Sequence, residues 1–119
     1  FVLVNLANAD LVGHSGVFGA VVTAIKTVDG CLGVLAKAAH EGGYALIITA
    51  DHGNAEQMLY PDGTTCPSHT TNHVPFIFVY DGTKHTEAKD GALTDVAPTI
   101  LAVMGVEKPK EMTGTALLV

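Results

Sequence analysis

Five residues of this chain have the types and spacing to share a cation. Asp10 and His14 stand four apart in DLVGH, Asp51 and His52 are adjacent in ADHGN, and His69 lies in SHTTNH. On a helical turn, a spacing of four brings two side chains onto one face. The Asp51-His52 pair would point to opposite faces of a strand, and Gly53 permits the backbone turn that could bring both to one site. Each motif also has a plain reading: a chance Asp-x3-His, or a turn aspartate beside a solvated histidine. Taken together, an Asp/His donor set without thiolate suits Mn²⁺ or Zn²⁺. Asp10, His14 and His69 could complete one ion and leave an open position for substrate. A two-ion site needs about six or more protein ligands. An ion on Asp51 and His52 alone is therefore under-ligated, and its remaining ligands are expected from elsewhere.

The other polar residues read more plainly. His73, four after His69, is either a ligand or a strand flank. His40 suits a helix C-terminus, and His85 suits a solvated loop. Glu56 could hydrogen-bond a ligating histidine or stand in solvent. Asn54 could orient substrate or a ligand, or serve a turn. Cys31 reads as a small hydrophobe. Ser15 and Ser68 each neighbour a candidate ligand but read equally well as loop hydroxyls. Neither sits in a Gly-x-Ser-x-Gly elbow, so no convincing nucleophile emerges.

Charge and composition narrow the partners. The chain has 119 residues and a net charge of -6, with six scattered lysines and no arginine. Such a surface repels a phosphate backbone, so nucleic acid is not an expected partner. An anionic substrate would need positive charge from metal ions or from another piece of protein. With 48% hydrophobic and 15% charged residues, the chain suits one domain or part of one. No unbroken apolar run approaches the ~18–20 residues of a membrane helix. No secretory leader is visible, and Phe1 in place of Met suggests a natural start upstream. Cys31 and Cys66 form no disulfide framework and suit a reducing cytosol.

The elements that must position these residues can be read from periodicity. Residues 1–6, 44–50 and 74–80 are short apolar runs with the pattern of buried strands. Residues 8–16 read as a loop. Residues 17–40 have helical spacing at Val21, Ile25, Val28, Leu32, Leu35 and Ala39, ended by Gly42-Gly43. Residues 59–72 form a Pro/Gly/Thr-rich excursion with a turn at Pro61-Asp62-Gly63. Residues 81–92 read as polar loop. Residues 95–104 form a helix with Asp95 as N-cap, Pro98 where no N–H is needed, and Gly105 as the stop. This order predicts an α/β fold, a parallel or mostly parallel sheet with helices on its faces. Ligands then bind beyond the strands' carboxyl ends.

Four stretches carry a further signal. NLANADLVGHSG (residues 5–16), ITADHGNAEQM (48–58), SHTTNHVPFI (68–77) and LTDVAPTILAVMGVEKPKEMTG (93–114) resemble the C-terminal part of cofactor-independent phosphoglycerate mutases. That family belongs to the alkaline-phosphatase superfamily. The resemblance covers nearly the whole chain in order, and TADHGNAE and KPKEMTG are its most specific stretches.

The resemblance implies that residues 1–119 are the C-terminal segment of a metal-binding, phosphatase-like α/β sandwich, incomplete by itself. It implies interconversion of 3- and 2-phosphoglycerate through a phosphoserine, in glycolysis and gluconeogenesis, without 2,3-bisphosphoglycerate. Two Mn²⁺ ions are implied, with Mg²⁺, Zn²⁺ or Co²⁺ in some members. Asp10, His14 and His69 match the ligands of one ion, and Asp51 and His52 match ligands of the other. The nucleophilic serine, a further aspartate, a lysine and the substrate-holding arginines are expected upstream of Phe1. So is the rest of the parent chain, which would be cytoplasmic and monomeric, with no membrane partner. A phosphatase or phosphopentomutase of the same superfamily is the alternative enzyme, and a non-catalytic metal-binding domain is the alternative from another class.

Overall fold

The computed structural model describes residues 1–82 and 87–118; His85, read above as solvated, and Lys84 lie outside them. The chain forms two compact units, Phe1–Val79 and Tyr80–Val119.

The first unit begins with apolar residues that join no strand among the described residues. Residues 1–6 make no ladder among the described residues, and Phe1, Val2 and Leu3 are 80%, 76% and 82% exposed. The expected first strand is therefore absent, because a strand exists only through the neighbour that satisfies its N–H and C=O groups. A short helix, α1 (Asn8–Gly13), follows where a loop was expected. It is a single turn and a half, too short for periodicity to reveal.

The predicted long helix is present as α2 (Phe18–Gly42), against which α1 packs. It ends on Gly43 at φ 69°, whose N–H returns to the last carbonyls. That left-handed position favours glycine. Ser15 links the two helices: its hydroxyl donates to Val12 O and accepts from Val17 N–H. This is a loop role. Val21 and Ala24 are buried, whereas Phe18 and Val34 are 69% and 70% exposed. By length and composition α2 is the one helix among the described residues apolar enough to cross a membrane. The sequence expectation missed this, because Lys26, Asp29 and Lys37 interrupt the run. Charges such as Lys26 and Asp29 at mid-helix would each cost about 2.5–3.5 kcal/mol in a bilayer.

Strands β1 (Leu46–Thr49) and β2 (Phe76–Val79) pair antiparallel, with Leu46 opposite Val79 and Thr49 opposite Phe76. The predicted parallel sheet is thus corrected: the sheet among the described residues has two antiparallel strands. The physical reason lies in the connector. A parallel crossover runs through a helix or a comparable layer, and residues 50–75 hold no helix. They fold back instead, through the predicted turn at Pro61-Asp62-Gly63, where Gly63 has φ 83°. Isolated bridges join Leu59 to Thr65 and Gly53 to Thr70. Asp51 and His52 do follow the carboxyl end of β1, as expected.

In the second unit, a 3-10 turn (Leu93–Asp95) leads into α3 (Val96–Val103). Pro98 is buried in the first turn, and Gly105 closes the helix at φ 67°. Asp95 occupies the N-cap position but does not cap in the usual sense. Its carboxylate accepts from Ala92 N–H at 2.8 Å and from Thr115 N–H at 2.8 Å. Thr99, fully buried, donates to Asp95 O and accepts from Leu117 N–H.

These bonds have a pH consequence. The N–H groups of Ala92 and Thr115 hold the Asp95 carboxyl below its ordinary value of 3.8, against a small opposing effect of desolvation. A depressed folded value means the stabilisation is complete above pH 3.8 and is lost as pH falls through that lower value. Amide protection of Thr115 should therefore hold down to about pH 4 and fall below it. Asp95→Asn should remove that acid dependence; hydrogen exchange measured across pH 2–6 checks both.

Candidate metal centre

One carboxylate oxygen lies at the middle of the predicted residues. The turn of α1 places Asp10 Oδ1 3.1 Å from His14 Nε2. The Gly53–Thr70 bridge brings the neighbouring His52 and His69 together, with their rings stacked at 3.6 Å. His69 Nε2 then lies 3.1 Å from Asp10 Oδ1 and 3.2 Å from His14 Nε2. His52 Nε2 stands 3.9 Å from the same oxygen. The side chains of Asp10, His14, His52 and His69 are each between a quarter and a half exposed, so solvent reaches the cluster.

Two backbone carbonyls orient the rings. Pro67 O accepts from His14 Nδ1 at 2.6 Å, and Gly53 O from His52 Nδ1 at 3.2 Å. With the proton on Nδ1, a neutral imidazole presents its Nε2 lone pair. Both lone pairs therefore face Asp10. Several lone pairs aimed at one small volume repel each other unless a cation or proton stands between them.

The donor set passes a simple test of fit. Ligands on a tetrahedron with bonds of about 2.1 Å stand about 3.4 Å apart. Asp10, His14 and His69 present their atoms at 3.1–3.2 Å. The ligand atoms of Asp10, His52 and His69 all lie within 4.8 Å of one another. These residues could hold a divalent cation and leave its outer face open to an anionic oxygen.

Not every expectation falls into place. His52, assigned by resemblance to a second ion with Asp51, has its Nε2 3.9 Å from Asp10 Oδ1 and within reach of both carboxylates. Asp51 lies at the rim, 90% exposed, with Oδ1 3.7 Å from His52 Nε2. His73 is exposed and is not in the group. Ser68 accepts a hydrogen bond from the Tyr60 hydroxyl at 3.3 Å.

Little in the residue pattern warns of how much rests on Asn54, which reads there as a turn residue or an orienting one. Asn54 is 5% exposed, and its Nδ2 donates to Asp10 Oδ1 at 3.2 Å. Its Oδ1 faces Gly13, where a Cβ would collide with that oxygen and lie 2.8 Å from Asn54 Cγ. Glu56 accepts from Asn54 N–H at 2.6 Å, from the Thr70 hydroxyl, and from Asn72 Nδ2 at 2.9 Å. Desolvation, the largest single influence, works to raise the Glu56 carboxyl. The bonds from Thr70, Asn72 and the backbone outweigh it and hold the group below its ordinary value. Glu56 is therefore an ionised acceptor at neutral pH, and its partners are loop residues, not a ligating histidine.

Residues 1–108 match the family model described as metalloenzyme superfamily. Curated relatives named 2,3-bisphosphoglycerate-independent phosphoglycerate mutase include one from Moorella thermoacetica, 47% identical over the whole of this chain and 23% of that protein. Another, from Psychrobacter arcticus, is 53% identical over 98% of this chain and 21% of that protein. The chain thus spans between a fifth and a quarter of the length of these relatives. A crystal structure of Leishmania mexicana phosphoglycerate mutase at low cobalt concentration matches with a TM-score of 0.80 and 28% identity. It covers 97% of this chain and 24% of that one.

Proposed function

The chain belongs to the metalloenzyme superfamily, and from that premise we propose that it is the metal-holding part of a longer, cofactor-independent phosphoglycerate mutase. The reaction is the interconversion of 3- and 2-phosphoglycerate through a phosphoserine, on a site of two divalent ions, Mn²⁺ in the first instance. In the cell it would take place in glycolysis and gluconeogenesis, in the cytoplasm. The observation that carries this reading is the convergence of His14 Nε2 and His69 Nε2 on Asp10 Oδ1. The names of the curated relatives support the choice of reaction.

In this reading Asp10, His14 and His69 hold one ion, and His52 with Asp51 contributes to the second. Bound ions would supply Lewis-acid charge at the transferring phosphoryl group, which this chain, with a net charge of -6, does not itself supply. The chain's own part is to keep Nε2 lone pairs and one carboxylate oxygen aimed at a common point. Pro67 O does this for His14, Gly53 O for His52 and Asn54 Nδ2 for Asp10. Preset geometry of this kind avoids reorganisation cost during reaction. The nucleophilic serine and the substrate-holding arginines belong to the rest of the parent chain.

The test is an assay of the parent polypeptide and of the 119-residue chain. The parent should convert 3- to 2-phosphoglycerate, lose that activity to a chelator, and regain it with Mn²⁺. The 119 residues alone should convert none. A parent indifferent to chelation, or one acting on sugar phosphates in place of phosphoglycerates, would overturn the reading.

A further inference from the structure

We infer that Asn54 and Glu56 are positioning residues, a hydrogen-bonded relay that sets the separation between Asp10 and His69 and so tunes cation affinity. The inference rests on the proposed metal site and extends it to residues outside the ligand set.

The two ligands come from distant parts of the chain. Asp10 stands on α1 and His69 on the excursion between the strands, and their separation must be set by something that spans the two. The bonds form one continuous path. Asn54 Nδ2 donates to Asp10 Oδ1 at 3.2 Å, and Asn54 N–H donates to Glu56 Oε2 at 2.6 Å. The other Glu56 oxygen accepts from the hydroxyl of Thr70, the residue after His69, and from Asn72 at 2.9 Å. Thr70 N–H also donates to Gly53 O at 2.8 Å. Each Glu56 oxygen thus grips a different segment.

Asn54 acts through Asp10 and not as a ligand. The atom it turns to the cluster is a donating amide nitrogen, which has no lone pair for a cation. Its placement is confined: the side chain is 5% exposed and wedged against Gly13. A bond from a buried amide to a ligand oxygen is the kind of outer contact whose loss lowers metal affinity about 10–100-fold.

The experiment is Mn²⁺ titration calorimetry on the parent polypeptide, with thermal unfolding of each metal-free variant. Asn54→Ala and Glu56→Ala should each weaken Mn²⁺ binding about 10–100-fold. Glu56→Gln, keeping one acceptor oxygen, should fall between Glu56→Ala and the parent. The metal-free unfolding midpoint of Glu56→Gln should not move. Because the residues act in series, the double variant should lose less than the product of the two single losses. Unchanged affinity in Glu56→Ala overturns the relay. So do losses that multiply, or losses seen only with a lowered metal-free midpoint. If Asn54→Ala does not fold, Glu56→Gln at its exposed position decides. A parent that binds no Mn²⁺ at all overturns the metal site and this inference with it, whereas a parent that binds Mn²⁺ as tightly after Glu56→Ala overturns the relay alone.

Discussion

Asp10→Ala should cost the protein one bound divalent ion. The outer contacts of a metal site are worth about 10–100-fold in affinity, and loss of a ligand should exceed the upper end of that range. Asp10 Oδ1 is the one atom that faces His14, His52, His69 and Asn54 alike. Among the described residues, its removal leaves the Nε2 atoms of His14 and His69 with no anionic partner, His52 Nε2 with Asp51 alone at 3.7 Å, and Asn54 Nδ2 with no acceptor. Asp10→Asn separates charge from shape: it keeps an oxygen in place but withdraws the negative charge, so its affinity should lie between. The side chain is a third exposed, so water can replace the lost contacts and metal-free stability should change little. Titration of the variant with Mn²⁺, read by the resonance of the free ion, gives the stoichiometry. An unchanged number of tightly bound ions in Asp10→Ala would remove the basis for the centre.

Gly114→Ala should have the largest effect on stability. A Cβ at Gly114 would lie 2.7 Å from the carbonyl carbon of Thr94, closer still to its oxygen, and 2.9 Å from Asp95 Oδ1. The first two are backbone atoms, which cannot rotate out of the way as a side chain can. The segment must move, and the move breaks what lies beside it. Thr115 N–H donates to Asp95 and Leu117 N–H to the fully buried Thr99. Overpacking costs about 1–3 kcal/mol and occasionally more, and the lost bonds place this substitution at the high end. The readout is amide exchange of Leu117 and of Lys89, whose N–H donates to Leu117 O. Gly33→Ala is the control, since a Cβ there meets nothing within 4 Å. Equal protection in both variants would refute the steric argument.

The parts of the fold that were legible are those in which local pattern and tertiary result agree. Helix α2 spans many turns, so its periodicity could be read, and glycine at position 43 marked its end. Strands β1 and β2 are unbroken apolar runs between turn residues. What could not be read depends on partners. Residues 1–6 have a strand's composition and, among the described residues, no neighbour to pair with. The direction of β2 relative to β1 is set by a connector whose path composition does not reveal. At the candidate site, the spacing of Asp10 and His14 was legible because a helical turn converts it directly into geometry. The role of Asn54 was not, since it depends on Gly13, 41 positions earlier, leaving room for the amide.

The opening hexapeptide FVLVNL carries a hazard of its own. It holds no charge, proline or glycine, and its backbone donors and acceptors are unmatched by any ladder among the described residues. Segments of that length and composition are the raw material of cross-β stacking, in which identical copies zip together side by side. Where nothing covers it, that stretch would tend to stack against other copies of itself. A lysine in place of Leu3 would act as a gatekeeper against that stacking.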